Sequence, residues 1–174
     1  MVRQQRIRAE LETLRLDIYQ PAGDNAPLRP AILWFHGGGF RPGNDKRQVY
    51  IPRFAEAFAA RGYVGIAPDY RVRADPESDW AGTMSDAIAD ARMALEWVRA
   101  HTADYRIAPH RITLAGGSAG GMIVVSLVYG PDAPTDIWAL LDLWGTPGGE
   151  VRSFTQVRPE SPPTFIVHGT ADAL

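Results

Sequence analysis

Residues 115–121 read AGGSAGG and contain a serine framed by glycines in the pattern G-x-S-x-G: Gly116, Ser118 and Gly120. An apolar run, ITLA at 112–115, precedes the pattern, and a segment with helical spacing, 119–129, follows it. A serine at such a strand-to-helix turn is forced into a strained backbone conformation, and glycines two residues to either side prevent clashes. Its hydroxyl then projects above the sheet at a helix N-terminus, where free N–H groups and the helix dipole favour developing negative charge. The chemistry that suits this arrangement is nucleophilic attack on a carbonyl. A plain glycine-rich turn shows the same bare pattern, so the strand–turn–helix setting carries the reading.

A second glycine turn, HGGGF at 36–40, directly follows the apolar run AILWF at 31–35. A phosphate cradle of the G-x-G-x-x-G kind would need glycine at position 42, which is Pro42, and no G-K-[S/T] follows. Residues without side chains instead let backbone N–H groups turn toward a substrate oxygen. Together with the N–H of Ala119 they would form an oxyanion hole. A third stretch, TFIVHGTADAL at 164–174, reads as a buried strand running into a loop that presents Asp172. A carboxylate there suits the middle member of a catalytic triad, and raises the question of which base it orients.

The elements that must position these groups are legible from periodicity. Leu14, Leu16 and Ile18 alternate with polar residues, as in a half-buried strand near a sheet edge. Residues 51–61 have helical spacing, with Pro52 in the first turn, Phe54 and Phe58 on one face and Gly62 as the stop. VGIA at 64–67 is a short strand. Thr83 and Asp86 suggest a capping box for a helix to about Ala103, in which Met84, Ile88, Ala91, Leu95 and Val98 share a face. IWALLDLW at 137–144 is a further strand, and residues 145–163 lack a helical period, as in a short crossover or a flap. Buried strands alternating with amphipathic helices predict an α/β fold: a mainly parallel sheet with helices on both faces.

Composition narrows the alternatives. The 174 residues suit one domain, large enough to bury roughly two thirds of the unfolded surface. Hydrophobic content of 45% and charged content of 22% are those of a globular protein. The formal charge of −2, without a Lys/Arg run, favours neither a nucleic-acid nor a membrane partner. With no cysteine, thiolate nucleophiles, disulfides and Cys-based metal sites are excluded. The basic N-terminus lacks the apolar stretch of a signal peptide, so a cytoplasmic location is expected.

HGGGF, PDYR (68–71), GGSAGG and HGTAD occur in this order with suitable gaps. With them the chain, from about residue 11 to 174, resembles α/β-hydrolases of the HGGG type, similar to hormone-sensitive-lipase-like and other short-chain carboxylesterases. The resemblance implies Ser118 as nucleophile, Asp172 as triad acid, and Gly38, Gly39 and Ala119 as oxyanion donors. It also implies that His36 organises the oxyanion loop, that Asp69, Tyr70 and Arg71 form a scaffold turn, and that no cofactor or metal is needed. The implied partner is a small-molecule ester. Gly117 stands where many relatives carry an acidic residue or histidine. Trp34, Phe40 and Trp144 are candidates for an acyl pocket. An amidase or formamidase is the alternative on the same scaffold. A non-catalytic small-molecule-binding protein, as in the similar gibberellin receptors, is the alternative from another class.

The family's chain order is serine, acid, then histidine. A final helix, strand and their loops, about 25–35 residues, would separate acid from base, whereas the sequence runs to Leu174. Of the four histidines, His36 belongs to the oxyanion loop and His168 caps the strand bearing Asp172. His101 and His110 are expected at the sheet edge opposite the elbow. The expectation is therefore a fragment of a longer enzyme, lacking the final helix, strand and histidine loop and inactive or nearly so. The other possibility is a short chain that borrows a histidine from another subunit. In either case residues 164–167 should form a bare apolar edge, prone to homodimerisation.

Overall fold

The computed structural model describes residues 3–8, 13–23, 25–145 and 156–172. Among these, seven strands form one sheet in the order β1-β2-β4-β3-β5-β6-β7. The strands are β1 Arg3–Arg8, β2 Thr13–Tyr19, β3 Arg29–Phe35, β4 Val64–Pro68, β5 Ile107–Gly117, β6 Ala139–Leu143 and β7 Thr164–Val167. β1 and β2 pair antiparallel and β2 joins β4 antiparallel, while β4, β3, β5, β6 and β7 run parallel. Three helices connect them: α1 Tyr50–Ala59, α2 Trp80–Ala100 and α3 Ala119–Tyr129.

The period of two within each strand sorts side chains onto the two faces of the sheet. On β3, Ile32 and Trp34 join the core beneath α1, whereas Ala31, Leu33 and Phe35 join the larger core beneath α2 and α3. Trp34 stacks on Phe54 with ring centroids 5.0 Å apart and meets Phe58 edge-on at 5.3 Å. The shared face of those two phenylalanines is thus what docks α1. Gly62, at φ +91°, supplies the left-handed residue that ends this segment.

α2 begins earlier than its capping-box pattern suggests. Asp79 is the N-cap and accepts from the Gly82 N–H at 3.0 Å. Thr83 lies one turn inside, its hydroxyl donating back to the Asp79 and Pro76 carbonyls. The buried face is Met84, Ala87, Ala91, Ala94, Leu95 and Val98, with Ile88 at its margin. β5 also starts earlier, at Ile107, so His110 lies within it and His101 caps α2. These histidines therefore stand at the opposite end of the central strand that leads to the elbow, and not at the opposite edge of the sheet.

β7 is the outer strand of the sheet among the described residues. Phe165 is 61% exposed, Ile166 62% and Val167 42%. Neighbouring residues of a strand point to opposite faces, so both faces of β7 are bare, which corrects the expectation that this strand is buried. Most of segment 145–163, read as crossover or flap, falls outside the described residues.

Candidate active site

Because five neighbouring strands run parallel, the turns that follow them share one rim of the sheet. That rim carries His36 to Phe40 after β3, Pro68 to Arg71 after β4, Ser118 after β5, Trp144 after β6 and His168 to Asp172 after β7. Hydrogen bonds step across it: the Ser118 N–H donates to the Leu143 carbonyl at 3.0 Å, and the Trp144 N–H to the Val167 carbonyl at 2.6 Å.

Ser118 is half-buried and has φ +54° and ψ −121°, the strained left-handed-side geometry anticipated for an elbow. The flanking glycines are steric necessities. A Cβ at Gly116 would lie 2.3 Å from the Gly120 carbonyl group, and one at Gly120 would lie 2.1 Å from the Phe35 carbonyl oxygen. α3 therefore packs backbone to backbone against the end of β3. Gly37 packs against the elbow in the same way: a Cβ there would fall 2.9 Å from the Gly117 oxygen and 3.2 Å from the Ser118 Cβ. The two glycine turns are in contact.

The Gly37 N–H is already occupied. It donates to Tyr50 Oη at 2.8 Å and to Gln48 Oε1 at 2.9 Å. The N–H groups of Gly38, Gly39 and Ala119 have no protein acceptor among the described residues. These are the three amides named from the sequence as oxyanion donors. Burial pushes the Tyr50 hydroxyl up to about 12, so it stays protonated and can also face the Gly117 carbonyl at 3.5 Å. Neither Gln48 nor Tyr50 belongs to a recognisable motif, and nothing in the sequence marked them.

His36 is buried, stacks on Tyr70 with centroids 4.2 Å apart, and places Nδ1 2.8 Å from the Gly37 carbonyl. Burial pushes its pKa down, against a smaller opposing effect of that carbonyl. A neutral ring with its proton on Nδ1 fits, because the carbonyl can only accept. Tyr70 donates to the His36 carbonyl at 2.8 Å. Asp69 binds both the Lys46 N–H at 2.9 Å and its ammonium at 2.8 Å. Arg71 grips the buried Asp90 through Nε and Nη2, and also Asp86. Asp69, Tyr70 and Arg71 thus tie the β4 turn to the glycine loop and to α2.

Asp172 lies 3.7 Å from His168 across one short loop. Trp34 and Phe40 are both about 1% exposed and belong to the core, so neither lines an acyl pocket. Phe40 is wedged edge-on between Tyr70 and Trp80. Trp144 remains half-buried beside the elbow, its ring 5.6 Å from that of Tyr50.

One buried carboxylate at the rim gave no signal in the sequence. Asp142, in β6, accepts from the Gly145 N–H at 2.9 Å and abuts Gly121 of α3. Burial raises its pKa, opposed by the Gly145 N–H and by His168. A raised native pKa means the folded protein binds the proton more tightly. Stability from this group is complete below the ordinary value of 3.8 and is lost as pH rises through the native value. Asp142→Asn should therefore raise the urea midpoint at pH 7, with the gain shrinking as pH falls toward 3.8. A gain independent of pH would contradict this account.

The fold, with a strained serine elbow and a glycine loop at one rim, is that of the α/β-hydrolase esterases. The BD-FAE family profile matches residues 16–131, and the chain belongs to that family. It is 31% identical over 144 residues to a chlorogenic acid esterase of Aspergillus niger, an alignment covering 78% of this chain and 28% of that protein. It is 32% identical over 120 residues to a probable carboxylic ester hydrolase of Mycobacterium tuberculosis, covering 68% of this chain and 26% of that protein. Among solved structures, esterase 2 of Thermogutta terrifontis phosphorylated by paraoxon superposes with a TM-score of 0.80 at 32% identity, covering 99% of this chain and 72% of that one. The matched region spans about a quarter of the length of these curated relatives.

Proposed function

We propose that this protein is a serine carboxylesterase acting on short-chain esters. The observation that carries the reading is the contact between the two glycine turns, in which Gly37 packs against the strained Ser118 while the N–H groups of Gly38, Gly39 and Ala119 stay free of protein acceptors among the described residues. In the proposed reaction Ser118 Oγ attacks the ester carbonyl and its proton passes to a base. The Gly38, Gly39 and Ala119 N–H groups stabilise the oxyanion. The alcohol then leaves, and water hydrolyses the acyl-enzyme. Asp172 is the acid that orients the base. Propionate-bound and butyrate-bound structures of the Thermogutta esterase support short acyl chains.

None of the four histidines is assigned as that base. His36 is buried with Nδ1 committed, and His101 stacks on Trp97 and bonds its carbonyl. His110 is exposed at the far end of β5, and His168, on the same loop as Asp172, faces its carboxylate at 3.7 Å, too far for a hydrogen bond. p-Nitrophenyl acetate should be cleaved faster than p-nitrophenyl decanoate, an N-formyl substrate or an anilide. Preference for the N-formyl compound or the anilide would move the reading to an amidase or formamidase.

The bare β7 is proposed to pair with a second copy of the chain, because an exposed apolar edge offers both unpaired backbone groups and side chains. Light scattering should find a dimer or larger species. A clean monomer would count against it.

A further inference from the structure

We propose that Asn44 is a positioning residue for the oxyanion hole, acting through the peptide that links Gly38 to Gly39. The inference rests on the serine-esterase reading above. In a planar trans peptide the C=O and N–H point in opposite directions, so anchoring the carbonyl aims the amide. None of the described peptides is cis. Three successive peptides can be followed along the glycine loop. The first, His36–Gly37, is held at both ends, by the Tyr70 hydroxyl on its carbonyl and by Gln48 and Tyr50 on its N–H. The second, Gly37–Gly38, is held at its carbonyl by His36 Nδ1, which leaves the Gly38 N–H free on the other side. The third, Gly38–Gly39, is held at its carbonyl by Asn44 Nδ2 at 3.3 Å and by the Arg41 N–H at 3.2 Å. That leaves the Gly39 N–H free.

The Asn44 amide cannot turn over without breaking a chain of bonds. Its Oδ1 accepts from Gln48 Nε2 at 3.2 Å, and Gln48 Oε1 is occupied by the Gly37 N–H. Its Nδ2 also donates to the Arg41 carbonyl at 3.1 Å. The side chain is pressed against the loop: a Cβ at Gly38 would lie 2.1 Å from Asn44 Cγ. Lys46, two residues on, is fastened to Asp69 through both its N–H and its ammonium. A pinned segment thus holds the carbonyl end of the second donor peptide. Gly38 and Gly39, at φ +101° and +60°, have no side chains of their own to resist rotation.

The test uses Asn44→Asp, which keeps the shape but replaces the donor by an acceptor, with Asn44→Ala as a second variant free of the added charge. Two readouts are taken on the 174-residue chain: ¹⁵N relaxation of the Gly39 amide, and phosphorylation of Ser118 by paraoxon in imidazole buffer. In both variants the Gly39 order parameter should fall from about 0.85 to below about 0.6. The limiting phosphorylation rate should drop about tenfold or more, short of the roughly 10²–10³ seen when an oxyanion donor is deleted outright. The half-saturating paraoxon concentration should stay unchanged. A Gly39 amide as rigid in both variants as in the parent overturns the proposal. So does a loosened Gly39 with an undiminished rate. Failure of the parent itself to be labelled at Ser118 would instead count against the esterase reading, and the relaxation data would still decide the role of Asn44.

Discussion

Gly120→Ala should cost this fold about 4 kcal/mol or more, enough to leave little folded protein. The added Cβ would sit 2.1 Å from the Phe35 oxygen, 2.6 Å from the Phe35 carbonyl carbon and 2.7 Å from the His36 oxygen. All three are backbone atoms at the end of β3, so no rotamer change relieves the overlap. α3 would have to lift off the sheet, and with it the elbow would leave the glycine loop. Gly43→Ala is the matched control. Gly43 has φ +86° but a Cβ added there would meet nothing within 4 Å, so only the left-handed backbone penalty of about 1–2 kcal/mol applies. Urea denaturation of the two variants should separate them clearly. Equal costs would mean that close packing of α3 on β3 is not what sets the elbow.

The second large effect concerns turnover. On the proposed reading, in which none of the four histidines serves as base, Ser118 would keep its proton at neutral pH. Hydrolysis of p-nitrophenyl acetate by the 174-residue chain should then lie on the order of 10⁶ below that of an intact serine triad. Triad members act as a unit, so losing the base already forfeits most of what the serine provides. Ser118→Ala should consequently lower the remaining rate only slightly, because the oxyanion hole and binding supply what is left. Steady-state hydrolysis with and without the substitution checks both statements. Turnover of an intact triad's magnitude, abolished by Ser118→Ala, would require one of the four histidines to be the base, with His168 the first to examine.

Most of this site was legible because its chemistry demands local patterns. An elbow needs G-x-S-x-G between a strand and a helix, and a loop that offers amides needs residues without side chains. Both turns stand where those patterns put them, and the order of apolar runs gave the parallel sheet. The missed parts depend on partners distant in sequence. β1 is polar and basic apart from Ile7, and is a strand because it pairs with β2. The Thr83 pattern imitated a cap, but Asp79 four residues earlier had a Gly82 N–H in reach and took the position. Asp142 looks like any polar position of an alternating strand until α3 closes over it. Asn44, Gln48 and Tyr50 form no motif, and matter only because the loop before α1 and the first residue of that helix fold back on Gly37 and Gly38. Trp34 and Phe40 look equally suited to a pocket or a core from sequence, and packing placed both in the core.

The claim on which all else depends is that Ser118 is the nucleophile held beside a working oxyanion hole. Its most direct measurement is peptide mapping by mass spectrometry after exposure to paraoxon, with imidazole in the buffer as proton acceptor. The Ser118 oxygen should displace p-nitrophenolate from phosphorus, leaving one diethyl phosphoryl group on the peptide that contains residue 118 and none in Ser118→Ala. A phosphoryl group on another residue, or equal modification of the alanine variant, would contradict the account.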